Sequence, residues 1–135
     1  TNTATTYTTS SGSFTDIVTP VNIGLETGNT TVSVNPIANG LALRNVITTA
    51  SNGASTNVGI KYIVAGPVGF GTKTYNYSFA SATSHNTNQV TGSITIPGLS
   101  FMATVNGDYT ISLQANVTAG DTFQVLNIAL RVAQG

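Results

Sequence analysis

Side chains able to do chemistry are scarce in this chain, and those present lack partners. The single histidine, His85, lies in the polar stretch Ser84-His85-Asn86-Thr87-Asn88. A catalytic base needs a nucleophile and an orienting carboxylate, and a metal-ligating imidazole needs further ligands. Neither is signalled near it, so His85 reads as an exposed loop residue. Asp108 and Asp121 each follow a glycine, in Asn-Gly-Asp and Ala-Gly-Asp. They would serve a calcium or sugar site at one end of a β-sandwich, but strong calcium sites gather several carboxylates, and an Asp that bonds its own turn is the simpler reading. The run Gly66-Pro67-Val68-Gly69-Phe70-Gly71 has the glycine density of a phosphate cradle without the lysine or the following helix that a cradle requires. It is read as a loop or a kinked strand. Tyr75, Tyr77 and Phe79 alternate along one segment. Such a stripe can stack on sugars or bases, yet alternating aromatics in a strand belong first to a core.

Three sequons, at Asn29, Asn76 and Asn116, are acceptors for N-glycosylation in a secreted chain. The last lies on the polar face of an expected strand.

The bulk numbers narrow the function classes further. The chain has 135 residues with four basic and four acidic side chains, no cysteine and no tryptophan. Soluble domains carry roughly 25% charged residues, against 6% here. Four scattered Lys/Arg cannot neutralise a phosphate backbone, so nucleic acid is excluded as a partner. Without cysteine there is neither a disulfide framework nor a thiolate site. No cofactor and no metal is expected, and an enzyme is the least favoured class, because almost no catalytic pair has a second member. No apolar run reaches the roughly 18 residues of a membrane span, so no membrane insertion is expected. The start at Thr1 reads as processing, by removal of a signal peptide or of an initiator Met. A surface built without charge has little to keep copies apart, which points to association.

Threonine (24), asparagine (14) and glycine (14) make up more than a third of the residues. These types favour strands and turns over helices. Period-2 alternation recurs between turn clusters: Leu99 to Val105, Tyr109 to Val117, Val58 to Val64, Lys73 to Phe79, and shorter runs at Val32–Val34, Leu41–Val46 and Val90–Ile96. Asn106-Gly107, between two alternating runs, predicts a tight hairpin joining them. Phe123 to Val132 is almost continuously apolar, which predicts a strand central in its sheet or covered by a partner subunit. The fold expected is an all-β, antiparallel β-sandwich, Ig-like or jelly-roll, of seven to nine strands with no significant helix.

Residues 1–13 form a Thr-rich tract followed by a single domain over 14–135. By composition the tract is a disordered tail, but β-branched threonines also make a competent strand. A terminal strand with little core of its own is suited to adding onto a neighbour's sheet edge. Edges elsewhere carry few of the lysines and prolines that guard monomers. Thr3, Ala4, Thr5, Tyr7, Thr9 and Phe14 are the residues expected at such a subunit interface.

The whole-chain character resembles subunits of extracellular filaments that polymerise by donating a terminal strand. Small jelly-roll capsid, penton or spike proteins of viruses look similar. So do trimeric heads of collagen-like surface proteins, echoed in Gly107-Asp108-Tyr109 and Leu126 to Val132. The resemblance implies a structural subunit whose partners are copies of itself, in a homopolymer or a closed homo-oligomer, located outside the cell or at its surface, or else in a virion. A lectin-like module using Asp108 and Asp121 is the third reading.

Overall fold

The computed structural model describes residues 5–26, 28–38, 46–50, 57–80, 89–94, 96–117 and 122–134. Within them the chain is all β: β1 (Thr5–Thr9), β2 (Thr15–Asp16), β3 (Val21–Leu25), β4 (Thr30–Ala38), β5 (Val46–Ala50), β6 (Asn57–Ala65), β7 (Thr72–Ala80), β8 (Gln89–Ile94), β9 (Leu99–Ala103), β10 (Gly107–Val117) and β11 (Thr122–Gln134). Alternation drives these elements. In β6 the even residues Val58, Ile60, Tyr62 and Val64 are buried while their neighbours are not. β10 does the same with Tyr109, Ile111, Leu113, Ala115 and Val117. Each strand thereby offers one apolar face to a common core.

Two antiparallel sheets pack on that core. One runs β8-β5-β11-β4-β9 with β1 also paired to β11, and the other runs β2-β10-β6-β7 with β3 also paired to β10. The registers fix which strands share a side. Phe123 pairs with both Thr9 of β1 and Thr48 of β5, and Ile128 with both Thr5 of β1 and Ala38 of β4. A residue in a ladder has one partner on each side, so β1 follows one side of β11 while β5 and β4 lie end to end along the other. By the same reasoning β2 and β3 lie end to end beside β10, opposite β6. The eleven strands thus fill eight positions, within the expected seven to nine. Their order, with positions 1-8-3-6 in one sheet and 2-7-4-5 in the other, is that of a jelly roll.

Two expectations change. β9 and β10 do not form a hairpin: β9 pairs with β4, whereas β10 pairs with β6, β2 and β3. Residues 104–106 therefore arch from one sheet to the other. Asn106 does not take the positive φ of a primed turn; only Gly107 does, at φ 134°. The arch is braced by Tyr109, whose hydroxyl donates to Val105 O and accepts from Val105 N–H, the arrangement called a tyrosine corner in β-sandwiches. The second change concerns β11. It is central, flanked on both sides, but its continuous apolar run has a further cause. The three-residue step from Val125 to Ile128 in β11 lies opposite the two-residue step from Tyr7 to Thr5 in β1. This bulge inverts the alternation. Phe123 and Val125 face the core before it, and Ile128 and Leu130 after it, with Ala129 also buried.

Among the described residues the strongly perturbed side chain is Tyr62, fully buried, with its hydroxyl donating to Pro97 O at 2.8 Å across the two sheets. Burial, with a smaller contribution from nearby Tyr77, pushes its ionisation well above the ordinary tyrosine range. In the unfolded chain the phenol ionises near pH 10. Above that pH the unfolded state holds fewer protons than the folded state, so stability falls as pH rises. We expect a loss from this group of about 1.4 kcal/mol per pH unit between pH 10 and 12. Urea titrations of wild type and Tyr62→Phe check it: the variant starts less stable at pH 8 and declines less steeply above pH 10.

Candidate functional site

The expected interface segment is built around β1. In the single chain Thr5–Thr9 lies antiparallel on the chain's own β11, from Thr5↔Ile128 to Thr9↔Phe123. β1 pairs with no other strand among the described residues. Thr9 is buried, and its Oγ1 accepts from Ser11 N–H at 3.2 Å, turning the chain out of the sheet. Thr3 and Ala4 lie outside the described residues.

After the turn, Ser10 to Ser13 runs exposed from one sheet to the other. This crossover is fixed to the end of β10. Val117 N–H donates to Ser11 O at 3.0 Å, and Asn116 Nδ2 donates to Gly12 O at 2.9 Å. Asn116 Oδ1 in turn accepts from Gly59 N–H at 3.0 Å. One amide therefore ties crossover, β10 and β6 together. The closeness of Asn116 is possible only because residue 59 has no side chain, since a Cβ there would collide with Asn116 Oδ1 and crowd the Phe14 ring. Phe14 is half-buried with Lys61 Nζ over its ring at 4.1 Å. Phe14 is thus seated on its own chain, at the root of the segment. The result is an N-terminal strand bound, among the described residues, on one side only and attached to the domain through an anchored, uncharged crossover.

Sequence reasoning missed this clamp. The available signal was Gly59, a glycine inside an alternating run, which marks close approach of another group.

The sequons fall in different settings. Asn29 is exposed at φ 56° in the turn before β4, and Asn76 is exposed at the middle of β7. Asn116 spends the nitrogen a glycan would take on the Gly12 carbonyl.

The other candidate residues do not converge. Asp108 is exposed near Gly24, while His85 and Asp121 lie outside the described residues. Among the described residues no three His, Cys, Asp or Glu side chains come together. Residues 66–71 form the β6–β7 turn, closed by Gly66 N–H to Gly71 O at 2.8 Å. Phe70 folds under it against Tyr109, with ring centroids 4.9 Å apart. A Cβ on Gly66 would come within 2.7 Å of both rings. Tyr75, Tyr77 and Phe79 are half-buried against the core rim.

No family model, curated protein or solved structure matches the chain. The functional reading therefore stands on the chain's own geometry.

Proposed function

We propose that this protein is a non-enzymatic structural subunit that assembles with copies of itself into an extracellular or cell-surface filament by exchanging β1. The observation that carries the reading is the pairing of β1 with β11, one-sided among the described residues, beyond a crossover held by Ser11, Gly12 and Asn116. If β1 leaves its own β11 and occupies the same place on a neighbour, every backbone pair is regained in trans and the crossover stays in place. Head-to-tail exchange of this kind propagates without closing, unless the rotation between copies happens to form a ring. The chain's net charge of zero sets up no long-range repulsion between copies, and pairing through an uncharged Thr-rich strand is expected to be insensitive to salt.

The jelly-roll connectivity favours a second reading, a virion subunit, because this fold is shared with viral capsid domains. That support is fold-level analogy. Negative-stain electron microscopy with light scattering on the full chain decides: open filaments of uniform width are expected, closed particles would favour the virion, and a monodisperse monomer at high concentration would overturn both.

A further inference from the structure

Among the described residues, the opposite sheet ends at β7 in an edge with no partner strand. β7 is the terminal strand of its sheet, hydrogen-bonded to β6 from Asn57↔Ala80 to Ala65↔Thr72, and no described residue lies along its outer side. Such an edge offers a row of backbone donors and acceptors for pairing with another chain. Nine residues long, it contains no proline and one charge, Lys73. Thr74, Asn76 and Ser78 point outward and are exposed, while Tyr75, Tyr77 and Phe79 are left half-covered at the core margin.

We infer that β7 pairs antiparallel with β7 of a second copy, about a two-fold axis through Asn76, joining the two sheets into one. The strand is self-complementary in this register. Its midpoint is Asn76, so all nine residues find partners: Asn76 faces Asn76, Thr74 faces Ser78, Tyr75 faces Tyr77, and Lys73 faces Phe79. The lysines are set at opposite ends of the pairing, so no like charges meet. Each instead meets an aromatic ring, a contact this chain already makes twice, at Lys61 over Phe14 and Lys73 over Phe70. Aromatic cross-strand pairs stabilise antiparallel ladders, and the half-exposed rings would lose their remaining contact with water. The interface lies in the other sheet from β1 and does not depend on strand exchange.

The chain has no cysteine, so a single introduced thiol reports on the register. Directly opposed Cα atoms in an antiparallel pair sit about 4.5–5.5 Å apart, within disulfide range. In this register the two copies of residue 74 are about 14 Å apart, beyond it. Asn76→Cys in the full chain is therefore expected to form a disulfide dimer under mild oxidation. Thr74→Cys alone should form no disulfide although the pairing persists, and a mixture of Thr74→Cys with Ser78→Cys should crosslink. The inference fails if Asn76→Cys crosslinks no faster than Thr74→Cys. Asn76→Lys, which opposes two like charges at an exposed site, should reduce the association seen by sedimentation to what strand exchange alone provides while leaving the circular dichroism spectrum unchanged; association equal to wild type would also overturn the pairing. Filaments that persist in Asn76→Lys keep strand exchange separate from this interface. Crosslinking of the Asn76→Cys variant in a chain that forms no filaments would leave the β7 pairing standing and strand exchange lost.

Discussion

Removal of residues 1–9 is expected to abolish end-to-end assembly while leaving a folded domain. The deletion takes away β1 and nothing of the crossover beyond it, so Ser11 O remains for Val117 N–H and Gly12 O for Asn116. Ending the deletion at residue 13 would remove those two acceptors and confuse loss of assembly with damage to β10. β1 contributes a short ladder on one side of β11. At about 1 kcal/mol for each net backbone hydrogen bond, its loss costs a few kcal/mol out of the roughly 5–15 kcal/mol typical of a domain. The truncated chain should therefore still show a cooperative urea transition. A synthetic peptide of residues 1–9 should bind it in calorimetry and raise its midpoint, since the vacated side of β11 is the acceptor. Filaments of unchanged width from the truncated chain would sink strand exchange.

Tyr109→Ala is expected to be the most damaging single substitution. Tyr109 is fully buried, 4.9 Å from the Phe70 ring and 6.2 Å from that of Phe101, and its hydroxyl holds both polar groups of Val105. It therefore ties together the β6–β7 turn, the arch between the sheets and the strand that follows. Truncating a buried aromatic costs about 3–5 kcal/mol, and here the brace of the arch goes with it. Tyr109→Phe separates the two contributions: it keeps the ring packing and gives up only the hydroxyl, at a cost of about 1–2 kcal/mol. Urea midpoints of both variants check this. A Phe variant as unstable as the Ala variant would mean that the hydroxyl, and not the ring, carries the corner.

Much of the fold follows from residue types taken in order. Alternation of apolar and polar side chains located β6, β7, β9 and β10 and said which of their residues face inward, because the two faces of a strand meet different solvents and the period of two is local. The near-absence of charge, likewise local in origin, is the ground for expecting neither phosphate binding nor acid–base chemistry. Turn residues marked where strands stop. β2, β3 and β5 did not stand out: Thr15–Asp16 is too short, Val21–Leu25 too weakly alternating, and Val46–Ala50 meets the expected Leu41–Val46 run only at Val46, the rest of that run lying outside the described residues.

Pairing was decided only by the tertiary structure. Asn106-Gly107 promises a hairpin locally, yet the apolar faces of Leu99–Ala103 and Tyr109–Val117 are both satisfied by lying across the core from one another, with Tyr109 bracing the arch between them. Alternation is equally compatible with both arrangements, since it specifies a buried face and not a neighbour. The bulge in β11 likewise turns an apparent two-faced apolar strand into two one-faced halves, a change that no period reveals. The clamp of Asn116 on Gly59 and Gly12 joins residues 57 and 104 positions apart. Hydrogen bonds over such separations are fixed by which strands lie side by side, and that is settled when the two sheets close on their shared core.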